Sequence, residues 1–100
     1  MDEFTVIKAT VLLILIGRRL GCDDHAIRSD VLGALKEALE GDHPCERIMN
    51  IGGNPTRMIS SAGIFRLMFE QSGIDRSDLH AQEEVYALVE RAITEAFALE

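Results

Sequence analysis

The chain has 100 residues and a net charge of −7, with 47% hydrophobic residues, two cysteines, four Phe, one Tyr and no Trp. That length and apolar content suffice for one aliphatic core without metals or disulfides and exclude disorder as the default. The acidic balance disfavours direct nucleic-acid binding, which needs clustered Lys and Arg, and two cysteines are too few for a disulfide scaffold.

The first element is predicted over residues 2–20. Phe4, Ile7, Val11, Ile14 and Arg18 recur at helical steps. Residues 9–17 are the most apolar stretch, closed by Lys8 and by Arg18-Arg19. A run apolar all round predicts a helix buried on every side, or one whose spare face meets a second molecule. Leu13, Ile16 and Leu20 are the candidate self-association residues. The run is too short to span a membrane, which takes about 20 residues. It has the length of a signal-peptide core, and Arg19-Leu20-Gly21-Cys22 resembles a lipoprotein cleavage site. However, the acids Asp2 and Glu3 stand where an export signal carries positive charge, the arginines follow the run, and Arg19 replaces an aliphatic residue. A cytoplasmic protein with free thiols is expected.

Gly21 is expected to end this helix, and Asp23 or Asp24 to cap the next, predicted over residues 24–40. Its stripe is Ile27, Val31, Leu35 and Ala38, with Ala34 and Leu39 at the edges. Gly41 stops it. Pro44 then suits the first turn of a short helix over 45–51. Gly52-Gly53 breaks that helix, and Asn54-Pro55 reads as the cap and first turn of a helix over 55–71. Its stripe is Met58, Ala62, Phe65 and Phe69, flanked by Ile59, Ile64 and Met68. Ser72-Gly73 closes it. The last helix is predicted over 77–99, capped by Asp75 or Ser77. Its stripe is Val85, Leu88, Val89, Ala92, Ile93, Ala96 and Phe97. The expected fold is all-α: a single domain, 1–100, forming a compact bundle of four main helices plus one short helix.

Two clusters carry ligating side chains: Cys22-Asp23-Asp24-His25 and Asp42-His43-Pro44-Cys45. They lie at opposite ends of the second helix, on the order of 20–25 Å apart. Neither has the steps that set two ligands on one ion, so both read as helix-end turns and no metal is expected. His43 and Cys45 have no orienting third group for nucleophilic catalysis. His80 and Glu84, four apart, read as a surface pair. The stretch Gly52 to Arg57 could hold an anion at a helix N-terminus but is not a P-loop. No catalytic residue and no cofactor is assigned.

Seven acids against two arginines make residues 74–100 the most acidic segment. Glu83, Glu84 and Glu90 are the candidate partner-binding residues. The expected function is a small acidic, non-enzymatic protein-binding module, a regulator, inhibitor or adaptor acting through protein contacts as a homodimer. The alternatives are a DNA-mimic inhibitor of a nucleic-acid-binding protein and a small helical metal- or ligand-binding enzyme.

Overall fold

The structure, a computed structural model, describes residues 2–40 and 46–98. Four helices dominate it: α1 (Glu3–Arg19), α2 (Asp24–Glu40), α3 (Ser61–Ser72) and α4 (Leu79–Ala98). Two strands, β1 (Glu46–Ile51) and β2 (Asn54–Ile59), lie between α2 and α3. The molecule is mostly helical and compact, with a radius of gyration of 14.1 Å.

The helix ends follow from their capping residues. The Asp2 carboxylate accepts from the Thr5 N–H at the start of α1. The bonds to Thr5, side chain first and backbone second, hold the Asp2 carboxyl below its usual range. At the other end Gly21 takes φ +82°, and Cys22 N–H reaches back to the Gly17 carbonyl at 3.0 Å. This is the six-to-one closure that a left-handed glycine permits. Asp23 caps α2 through the Ala26 N–H at 2.8 Å. Ser60 caps α3 through the Gly63 N–H, and Gly73 closes it with φ +68°. For α4 the cap is Asp78, which accepts from the His80 N–H at 3.0 Å. Asp75, one of the two expected caps, instead bonds the backbone N–H and the hydroxyl of Ser77 in the preceding turn.

The short helix expected over 45–51 is not formed where the chain is described. Residues 46–51 are β1, paired antiparallel with β2 from Glu46 opposite Ile59 to Ile51 opposite Asn54. The expected helix over 55–71 begins only at Ser61, because its first residues are β2. The physical reason is the loop. Gly52 and Gly53 take φ +59° and +84°, and two positive φ values in a two-residue loop match the right-handed twist of a hairpin. Asn54 is therefore the first residue of β2 and not a helix cap. Pro55 sits opposite Asn50, next to the pair that flanks the turn. Alternate pairs of an antiparallel ladder exchange no hydrogen bonds, so a proline there costs the ladder no donor.

The core is one cluster drawn from all four helices. On α2 every expected apolar residue is buried: Ile27, Val31, Ala34, Leu35, Ala38 and Leu39. On α4 Val85, Leu88, Val89, Ala92 and Ile93 are buried, with Ala96 and Phe97 packed at the margin. On α3 Ala62, Phe65, Met68 and Phe69 are buried, whereas Met58 and Ile59 belong to the hairpin and are exposed.

α1 departs from expectation. It touches α2, α3 and α4, so it is central. It is not buried on every side, however. Its buried residues are Val6, Ala9, Thr10, Leu13 and Ile14, a face turned about a third of a turn from the expected stripe. Phe4, first in that stripe, is 68% exposed. Thr10, the one buried polar side chain among the described residues, donates its hydroxyl to the Val6 carbonyl at 3.0 Å.

Two glycines within helices make opposite demands. A Cβ on Gly17 would stand 2.8 Å from Ile27 Cγ1, so this glycine lets α1 and α2 approach closely. A Cβ on Gly33 would meet nothing within 4 Å. Gly33→Ala should raise stability by about 0.5–1 kcal/mol through helix propensity. Gly17→Ala should lower it, since overpacking of about 1–3 kcal/mol exceeds the same propensity gain. Urea titration of both variants checks this; equal gains would show that the α1–α2 contact is slack.

Candidate functional site

The outer side of α1 exposes a row of large apolar side chains. Phe4, Val11, Leu12 and Leu15 are exposed along it, and Leu67 of α3 lies exposed beside it. Leu12 is 47% and Leu15 56% exposed. Isolated apolar residues on a surface mean little, but a contiguous apolar patch marks a contact site.

The geometry is a ridge between two hollows. α3 and α4 both pack against α1. Between α1 and α4 lies a hollow of ≈ 410 Å³ lined by Ile7, Val11, Leu15, Leu88 and Ala92, with Arg18, Arg91 and Glu95 at its border. Between α1 and α3 lies one of ≈ 710 Å³, lined by Phe4, Val11, Leu12, Ile64, Leu67 and Met68 among others. Val11 and Leu15 line both hollows, so the two form one apolar surface divided by the α1 ridge. Lys8 lies over the Phe4 ring at 5.3 Å, and Arg18 over Phe97 at 5.4 Å. Each contact sets a cationic group over the face of a ring, where the ring's quadrupole attracts it.

The three self-association candidates, Leu13, Ile16 and Leu20, line one small hollow but differ in exposure. Leu13 is 7% exposed and belongs to the core. Ile16 and Leu20 are exposed, but they border a smaller hollow of ≈ 110 Å³ facing α2, with Cys22, Ile27 and Asp30. Phe4 and Val11, members of the expected stripe, are exposed on the broad side of α1 together with Leu12 and Leu15, and none of the four was a self-association candidate. The 4–3–4 spacing of Phe4, Lys8, Val11 and Leu15 was the signal that could have found them.

The partner-binding candidates Glu83, Glu84 and Glu90 are all exposed on α4. Glu84 also pairs with His80 at 2.8 Å, the expected surface pair one turn apart. They lie on a polar helix side, away from any hollow described above.

No model of a known family, no curated protein and no solved structure matches this chain. Its function has to be argued from its own surface.

Of the ligating clusters, Cys22 is half-buried, while Asp23, Asp24 and His25 are exposed and Asp23 is engaged as the α2 cap. Asp42, His43 and Cys45 lie outside the described residues. Among the described residues no three His, Cys, Asp or Glu side chains come together as metal ligands. The stretch from Gly52 to Arg57 leads into a strand, so the helix N-terminus that could have held an anion there does not exist. Among the described residues no helix is long and apolar enough to cross a membrane.

A polar cluster closes the C-terminal end of α2. Arg76 Nη1 donates to the Ala38 carbonyl at 2.9 Å, and Arg66 Nε to the same oxygen at 3.5 Å. Two cations on a helix-end carbonyl oppose the negative end of the helix dipole. Gln82 donates to the Arg76 carbonyl, tying this loop to α4. Burial, and secondarily the Glu40 carboxylate, push the Tyr86 phenol above its usual range. Each of these groups faces the protein's own backbone or a neighbouring helix, which makes the cluster an architectural joint.

Proposed function

We propose that the chain is a non-enzymatic protein-binding module, a small regulator, inhibitor or adaptor of the cytoplasm. In this reading residues 1–100 act as one compact helical bundle whose working surface is the outer side of α1. The observation that carries the proposal is the row Phe4, Val11, Leu12 and Leu15, continuous with Leu67 across the α1–α3 hollow. Leaving several large apolar side chains in water forgoes roughly 1.5–3 kcal/mol for each one that could be buried. A partner surface that covers them recovers that free energy. The hollows have mostly apolar walls, which suits the side chains of a protein better than a polar substrate.

The test is affinity capture with the full chain against the Leu12→Glu/Leu15→Glu double variant. Both positions are exposed, so the variant stays folded. Its capture profile should lose the species, self or foreign, that wild type retains. An unchanged profile would overturn the assignment of α1. A parallel capture with Glu83→Lys, Glu84→Lys and Glu90→Lys should retain those species; their loss would move the site to the acidic side of α4.

A further inference from the structure

We propose that the outer edge of β1 receives an extended segment of a partner protein as a third strand of the sheet. This goes beyond the α1 reading: it concerns another element and another mode of contact, and it stands or falls separately.

The hairpin register fixes which backbone groups point outward. Ile51 and Asn54 flank the two-glycine loop and form the hydrogen-bonded pair nearest the turn. Pairs alternate from there, so Asn50–Pro55, Ile48–Arg57 and Glu46–Ile59 exchange no hydrogen bonds. Their backbone groups face away from the partner strand. The outer edge of β2 therefore carries Pro55, Arg57 and Ile59, and Pro55 has no N–H to offer. A proline on an edge strand blocks pairing there. The outer edge of β1 carries Glu46, Ile48 and Asn50, each with an N–H and a C=O. Among the described residues the sheet stops at two strands, so this unblocked row meets no third one.

The side chains leave the hairpin equally open. Ile48, at the centre of the row, is 77% exposed, more than any other large apolar side chain among the described residues. Ile51, Met58 and Ile59 are exposed as well. By register Ile48 and Ile59 lie on one face of the sheet and Ile51 and Met58 on the other, so large apolar side chains stand in water on both. Two strands alone are marginal in water, and a third strand adds stability.

The row selects the conformation of what covers it. Its donors and acceptors recur at every second residue, about 6.8 Å apart. Another extended backbone matches that repeat, whereas a helix has already used its backbone groups internally. The occupant's residue beside Ile48 is apolar or β-branched. Net charge then favours a foreign segment over a second copy. Two copies would each bring a charge of −7, and like net charges repel. A neutral or basic segment meets no such repulsion.

A phage-displayed library of random peptides, panned on the full chain, tests the edge. Enriched peptides should alternate β-branched and polar residues. They should bind Ile48→Pro about tenfold or more weakly than wild type, and Arg57→Pro within about twofold of it. The two prolines fall on one cross-strand pair and each removes an outward N–H, so both strain the hairpin but they block opposite edges. Ile48→Thr keeps the N–H and should hold the peptides within about threefold of wild type. Equal loss in both proline variants would overturn the edge and leave only a structural need for the hairpin. An absence of enrichment would overturn it too, as would peptides of helical spacing that Leu12→Glu/Leu15→Glu releases. A dimer in sedimentation that Ile48→Pro dissociates would overturn the choice of a foreign segment. The α1 reading fails on its own capture test, because Leu12→Glu/Leu15→Glu should leave the strand peptides bound.

Discussion

Leu13→Glu is expected to unfold the protein, while Leu15→Glu, two positions along the same apolar run, leaves it folded. The two sites differ little in helix propensity terms, since Leu and Glu are both good helix formers. They differ in what surrounds them. Leu13 is 7% exposed and packs in the common core, whereas Leu15 is 56% exposed on the ridge. A carboxylate at position 13 would either stay charged without a partner in an apolar setting or take up a proton to become neutral. Both routes cost several kcal/mol, on top of the lost apolar burial. The total available to a domain of this size is about 5–15 kcal/mol. At position 15 the carboxylate stands in water, four residues ahead of Arg19, and gains about 0.2–0.5 kcal/mol from that pair. Circular dichroism during heating reads the contrast: a missing or strongly lowered transition for Leu13→Glu, and one within a few degrees of wild type for Leu15→Glu. Unfolding by Leu15→Glu would mean that the α1 ridge is core and that no association surface exists there.

Phe65→Ala should be the most damaging single truncation. Aromatics are scarce, with four Phe in the chain, and Phe4 is spent on the surface. Phe65 is fully buried and stacks on Phe69 with ring centroids 6.2 Å apart and planes inclined by 23°. Removing its ring leaves a cavity that small neighbours such as Ala34, Ala38 and Ala62 are poorly able to fill. The cost should be about 3–5 kcal/mol, including the stacking contribution. In a 100-residue domain that lowers the melting temperature by more than about 12 °C. Phe65→Leu should recover most of it. Leu67→Ala, one turn-half away and facing out, should change stability by about 0.5 kcal/mol or less. Urea midpoints decide the matter. A loss below about 1 kcal/mol for Phe65→Ala would show that the core around α3 is loosely packed.

Much of the architecture was legible one residue at a time. α2 and α4 have apolar stripes with polar neighbours on the opposite side, so periodicity alone set their inward faces. The glycines at 21 and 73 and the capping Asp and Ser residues marked most helix ends through local hydrogen bonds. The hairpin was not legible: its two-glycine loop reads equally as a break between helices, and the Asn54-Pro55 step also suits a helix start. Local chemistry was satisfied by either outcome there. Pairing between strands, a contact across the loop, favoured one of them.

The sequence by itself determined that this protein is mostly helical, where α1 ends, where α2 begins and where α3 ends, and which sides of α2 and α4 turn inward. It determined this because capping and amphipathic spacing act within a few residues. Only the tertiary structure decided which side of α1 is buried. Between Ala9 and Gly17 Thr10 alone is polar and it lies on the buried side, so no polar residue marks the outward face. The choice fell to the neighbours: α2 closes over Gly17, α3 and α4 also pack against the helix, and Val6, Leu13 and Ile14 are buried among them. Val11, Leu12 and Leu15 were left outside as a consequence, and with them the surface on which the proposed function rests.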